Sequence, residues 1–145
     1  IVIIGILAAV AGPRFFSDRT FLERGYYEEL AAALKYAQKL AIATGCSVRM
    51  QITAGTLVTP GTYVARQQAA SGDSCDTTDT TSWATQVQLA DGEVLSGTSP
   101  LGVTAADVTI VFDALGRTDL AANRIINVGP YALTVGAASG YVQAP

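Results

Sequence analysis

The chain has 145 residues, half of them apolar and only 14% charged, with a net charge of −3. This length suits one domain with or without an appendage, and the negative balance excludes a generally basic nucleic-acid binder. Histidine is absent, which removes Ser-His-Asp and Cys-His triads, His-ligated metal sites and the usual general base.

The chain opens IVIIGILAAVAGPRFF, and residues 1–11 carry no charge and no strongly polar side chain. Eleven helical residues span about 16 Å, roughly half a hydrocarbon core. Ile1, Val2, Ile3, Ile4, Ile6, Leu7 and Val10 are therefore expected in a membrane or filament helix whose apolar segment begins upstream of Ile1. A buried core helix and a signal peptide cut after Ala9-Val10-Ala11 are the competing readings. A packing stripe farther along already claims the head's helix-binding face, and the helical pattern runs past the supposed cut. Ala8, Ala9 and Ala11 permit close helix approach. Gly12-Pro13 is expected to kink a continuous helix, since proline lacks an N–H and clashes with the carbonyl four residues back. The alternative is that Pro13 opens a second helix at its first position.

The pattern stays helical to Thr44. Leu22, Tyr26, Leu30, Leu34, Ala37 and Leu40 or Ala41 recur at three- and four-residue steps, predicting one apolar stripe that packs on a sheet. Arg14/Asp18, Arg19/Glu23 and Arg24/Glu28 are spaced to meet on the helix surface. Gly45 is a C-cap candidate. Residues 1–44 thus read as a helix, with 1–13 the membrane or filament-core part and 14–44 the amphipathic part. Such a helix is about 64 Å long, so half of it must project. Tyr26, Tyr27 and Tyr36 are expected to pack rather than to form an aromatic conduit.

After Gly45 the period drops to two. CSVRMQIT, WATQVQL, DVTIVF, RIINV, YALTV and GYVQ read as strands, punctuated by turns at Ala54-Gly55, Pro60-Gly61, Asp91-Gly92, Leu115-Gly116, Gly129-Pro130 and Ser139-Gly140. Residues 45–145 are expected to form a globular β domain with a long surface loop over about 67–82. The fold class is α+β: a long N-terminal helix packed on a C-terminal antiparallel β-sandwich of two sheets. Cys75 lies in the polar stretch SGDSCDTTD and no CxxC occurs. A Cys46–Cys75 disulfide is expected; it contributes about 3.6 kcal/mol on the chain-entropy account and implies an oxidising compartment.

Chemistry finds little footing. Asp73, Asp76 and Asp79 could offer oxygens to calcium, but not at EF-hand spacing. Asp91, Glu93, Asp107, Asp113 and Asp119 could include a glycosidase pair, but each lies in or beside a turn signal, where Asp is common for local reasons. No phosphate-cradling or nucleophile-elbow motif is present. No catalytic residue, cofactor or metal is expected. The head carries four Arg against eight acids, so a patch of Arg117 and Arg124 is its only footing for phosphates and nucleic acid is not expected as a partner.

Gly5, ILAAVA (residues 6–11) and Pro13, followed by an amphipathic helix and a strand-rich domain with two Cys, resemble type IV pilins and pseudopilins. YAQKLAIATGCSVRMQI, VFDALGR and the PRFF of residues 13–16 are similar to GspH-type pseudopilins and to minor pilins of the mannose-sensitive haemagglutinin (MSHA) pilus. The resemblance is strong over the helix and scattered over the head. It implies a structural subunit, an MSHA-like minor pilin foremost, held in the inner membrane with a periplasmic head and then packed helix to helix with other pilin subunits in a filament. It also implies processing by a prepilin peptidase, with the leader, the methylated residue and the near-terminal glutamate upstream of Ile1. A GspH-type pseudopilin of type II secretion, a major pilin, and a tip adhesin or DNA-uptake pilin are the alternatives.

Overall fold

A computed structural model describes residues 2–71, 74–78 and 80–145, and gives the backbone alone for 2–17, 70, 71 and 74. One helix, α1 (Val2–Thr44), passes through Gly12 and Pro13 without a break, so no second helix starts at Pro13. Ala and Leu dominate its C-terminal half, and both are strong helix formers. It stops at Gly45, whose φ of +69° suits a residue without Cβ. The Gly45 N–H bonds the Ala41 carbonyl at 2.9 Å, capping the last turn in the αL manner.

Ten strands follow. β1 (Val48–Thr53), β2 (Thr62–Gln67), β3 (Ala70–Ser71), β4 (Ser74–Cys75), β5 (Thr85–Gln86), β6 (Ser96–Thr98) and β7 (Val108–Phe112) precede β8 (Arg124–Val128), β9 (Tyr131–Val135) and β10 (Val142–Gln143). The larger sheet runs β5-β2-β1-β7, with β6 also on the β2 edge; the second runs β10-β9-β8; β3 and β4 form a small ribbon. All pairings are antiparallel.

Alternation sets which face each sheet buries. In the larger sheet Met50 sits between Ala65 and Ile110, Val48 beside Phe112 and Ile52 beside Tyr63. In the second, Ile126 faces Leu133 and Val142 faces Val135. These side chains and the inner face of α1 form one core. The helix touches β1, β2 and β7 of one sheet and β8, β9 and β10 of the other, and is therefore the layer they share. The β8–β9 hairpin turns on Gly129-Pro130, with Gly129 at φ +56°.

The region expected as a bare loop over 67–82 begins inside β2 and contains the β3–β4 ribbon. The disulfide joins Cys46 to Cys75 with Cα atoms 5.4 Å apart, stapling that ribbon to the residue after the helix cap. WATQVQL is shorter as a strand than its alternation suggests: only Thr85–Gln86 pair as β5, and Thr85 is exposed. Trp83 sits just before it at φ +46°, buried, with Arg49 5.2 Å above the ring.

Candidate functional site

The helix and its seat on the head are the site. From Glu23 onward one face is buried: Glu23, Tyr26, Tyr27, Leu30, Ala31, Ala33, Leu34, Ala37 and Ala41 all lie in the core or against it. Leu40 is half-buried against the same core. Leu22, expected on the packing stripe, is instead 47% exposed. Its helical phase is right, but the head leaves it uncovered: loop 99–103 reaches Arg19 on the same helix without burying Leu22. The structure thus brings Tyr26, Leu30, Leu34, Ala37, Leu40 and Ala41 together and leaves Leu22 out. Ile1 lies outside the described residues, as do the side chains of Val2, Ile3, Ile4, Ile6, Leu7, Val10 and Pro13.

Polar ties fix the helix at several levels. Near the exit, Arg19 pairs with Glu23 at 3.2 Å. A Cβ on Gly129 would fall 2.6 Å from the Glu23 carboxyl carbon, so the β8–β9 turn closes over that carboxylate. Nearly two turns on, Tyr63 donates to Glu29 Oε1 at 2.6 Å, and the Tyr26 ring lies 6.2 Å from that of Tyr63. Tyr27 stacks obliquely on Tyr131 at 5.2 Å. Tyr36 donates to the Gln88 carbonyl at 3.2 Å. Near the far end, Gln38 Nε2 donates to the carbonyls of Gly116 (2.9 Å) and Ser139 (3.1 Å), one from each side of the head. Sequence reading missed Glu29, Gln38 and Tyr63. A polar Gln38 flanking the stripe at Ala37 was the available signal for one of them.

Burial, assisted by Glu29, pushes the Tyr26 hydroxyl up to about 12. Burial, then the hydrogen bond to Glu29, raises Tyr63 as well. The Tyr26 hydroxyl is the buried side-chain oxygen left without a hydrogen-bond partner among the described residues. Beside this cluster a groove of about 380 Å³ runs between the helix and the β6 edge, lined by Glu29, Ala32, Tyr36, Leu89 and Leu95.

The acidic residues do structural work. Asp107 accepts the Ala54 N–H at 2.6 Å and Asp119 the Val111 N–H at 2.9 Å. Asp91 accepts from Glu93 N, and Asp76 from Thr78. Asp113 accepts from Leu115 N, Arg117 N and Arg117 Nε. Partial burial works to raise its pKa, but those donors outweigh it and hold it below the ordinary carboxylate value. Of the calcium candidates, Asp73 and Asp79 lie outside the described residues. Arg117 is engaged with Asp113, and Arg124 donates to the Asp107 carbonyl at 3.4 Å. Among the described residues no helix is long and apolar enough to cross a membrane.

A family model described as type II transport protein GspH matches residues 27–141, the inner helix and nearly all of the head. No curated protein matches the sequence significantly. Two crystal forms of the type IV minor pilin FimU of Pseudomonas aeruginosa share the fold at 17% identity. One gives a TM-score of 0.55 over 84% of this chain and 91% of FimU. The other gives 0.57 over 90% and 92%.

Proposed function

The chain belongs to the family of the type II transport protein GspH, and from that premise we propose that it is a minor structural subunit of a pilin-type filament. The observation that carries this reading is the division of α1. From Glu23 on, the helix is committed to the head, whereas residues 18–22 are exposed and the apolar opening run lies seven or more residues farther toward the N-terminus. Before assembly the run Ile1–Ala11 parks the subunit in the inner membrane, with the head on the periplasmic side. Exposing it to water costs roughly 25 cal/mol per Å² of apolar surface. Extraction is feasible only where sister helices replace lipid contacts nearly one for one, and Ala8, Ala9 and Ala11 allow the close approach this needs. A bend at Gly12-Pro13 lets the stem follow its neighbours without moving the head. The head's carboxylates serve its turns, which favours scaffolding over catalysis.

The finer assignment is an MSHA-like minor pilin. The family match favours a second reading, a pseudopilin of a type II secretion machine. In both, the family implies processing by a prepilin peptidase. The test is a photo-crosslinking residue at Val10, used in cells that assemble the filament, with subunit counts on sheared filaments. Crosslinks to other pilin subunits at low stoichiometry are expected. Crosslinks to none, or stoichiometry equal to the main subunit, overturn the minor-subunit reading. Deleting the gene then separates the finer readings: loss of surface pili marks the pilus, and loss of protein secretion marks the secretion machine.

A further inference from the structure

The helix leaves the head between Leu22 and Glu23: residues 18–22 are exposed and Glu23 is buried. Two head loops meet beside that exit. The Gly61 N–H donates to Ser99 Oγ at 2.8 Å, and the Ser99 N–H donates back to the Gly61 carbonyl at 2.8 Å. Arg19 Nη2 donates to the Gly102 carbonyl at 3.1 Å, fixing loop 99–103 against the helix. A Cβ on Gly102 would lie 4.0 Å from Leu57 Cδ2, so the tip of loop 54–61 touches the same point. These tips turn apolar side chains outward: Leu57 is 77% exposed, Val58 82% and Leu101 64%.

Several of their polar groups bond within the loops. Thr56 N donates to the Thr59 carbonyl at 2.7 Å, and Thr56 Oγ1 accepts from the N–H groups of Val58 and Thr59. In the other loop Val103 N donates to the Pro100 carbonyl at 3.1 Å and Ser99 Oγ to the Val103 carbonyl at 3.0 Å. Residues 54–61 and 94–106 contain no charged side chain. Loops with apolar tips, no charged side chain and several backbone groups paired internally suit the interfacial layer of a membrane, where each polar group left without water is costly.

We infer that Leu57, Val58 and Leu101 form an apolar foot that rests in the interfacial layer of a lipid bilayer while the stem is inserted. The inference rests on the membrane-stem reading above and deepens it. Position supports lipid as the occupant, because the foot lies at the end from which the apolar run emerges. Distance agrees. Phe15-Phe16, the last aromatic pair before the head, stands only three residues before Arg19, about 4.5 Å along the axis. The polar layer on each side of the hydrocarbon core is about 5–7 Å thick. Counted from Pro13, where the membrane part of the helix ends, Arg19 stands about 9 Å out, so a foot at its level sits at the outer edge of that layer. When the stem moves into a filament, the foot is lifted off lipid and becomes available to a neighbouring subunit.

The test uses the full chain in phosphatidylcholine/phosphatidylglycerol vesicles at less than one chain per vesicle. A polarity-sensitive fluorophore is attached at Leu57→Cys or Leu101→Cys, or at Leu115→Cys as control. Leu115 is 71% exposed but sits by Ile42, at the other end of the head. Blue-shifted emission at 57 and 101, with quenching by lipids brominated near the headgroup several-fold stronger than at 115, is expected. Chains that float with the vesicles while 57 and 101 match 115 overturn the foot and leave the stem standing. Chains that do not float overturn both. A blue shift that arises only when chains are crowded or another subunit is added assigns the patch to a protein partner and overturns the lipid assignment.

Discussion

Leu22 and Leu34 share one stripe twelve residues apart, yet the structure gives them opposite roles, and truncating each to alanine separates them. Leu34 is fully buried and Leu22 is 47% exposed. Leucine and alanine have similar helix propensity, so the substitutions report packing rather than helix formation. Leu34→Ala removes three carbons, about 2.4 kcal/mol of transfer free energy at about 0.8 per carbon, and leaves a cavity among helix and sheets. The total expected is about 3 kcal/mol, on the order of 15 °C in Tm for a head of this size. Leu22→Ala should stay within about 0.5 kcal/mol. Urea unfolding of the full chain in detergent, followed by fluorescence of the buried Trp83, measures both, with an unchanged slope reporting an unchanged native state. Equal losses at the two positions would show that the head reaches over Leu22, and a loss below about 1 kcal/mol at Leu34 would refute the helix as the shared layer.

Three further outcomes follow from particular contacts. Replacing Cys46 and Cys75 together by Ser frees a separation of 29 residues and should cost about 3.6 kcal/mol, read as a lower urea midpoint that wild type reaches only with reductant. Gly97→Ala places a Cβ 2.4 Å from both Glu29 Oε1 and the Tyr63 ring. It should cost about 1–3 kcal/mol and return the Tyr63 titration toward its ordinary value in a spectrophotometric pH scan. Tyr26→Phe deletes the unpartnered buried hydroxyl and should be neutral or stabilising by up to about 1 kcal/mol. The Tyr26 pKa rises on folding from 10.0 to about 12, so the folded state holds that proton more tightly. Its contribution is full below pH 10 and lost as pH climbs through about 12. The variant should therefore lose part of the alkaline fall in urea midpoint over that window.

The helix was legible because two independent signals agree: a 3.6-residue stripe, and a Gly45 that can adopt φ +69°. The stripe gives rotational phase but not how far up the helix the head extends. That depends on where loops 54–61 and 99–103 and the Gly129 turn stop, and so Leu22 was misplaced. Strand β2, TYVARQ, escaped notice although it is central to the larger sheet. Its buried face is Tyr63 and Ala65, one amphipathic and one small, so its hydrophobic alternation is weak. WATQVQL failed in the other direction. Its alternation is clean, but Trp83 bends into a positive φ against Arg49 and pairing begins only at Thr85. Asp76, Asp91 and Asp113 were legible as turn residues, since a carboxylate that takes a nearby backbone N–H needs only local sequence, whereas the bond from Ala54 to Asp107 spans 53 residues and was not. Gln38 and Glu29 were not, because their partners lie 34 or more residues away.

The stem and head divide the helix mechanically as well as in sequence. Pro13 cannot donate to the Ala9 carbonyl, which removes one rung of the helix ladder. Ten residues, about 15 Å of helix, separate it from Glu23, the first buried position among the described side chains. A bend at Pro13 therefore breaks none of the described contacts with the head. A bend between Tyr26 and Ala41 would dislodge side chains such as Leu30 and Leu34, each worth about 2–5 kcal/mol, together with the Gln38 and Tyr63 ties. On the proposed reading, strain imposed by packing the apolar run among neighbours is absorbed ahead of the head, so the head need not refold when the stem moves.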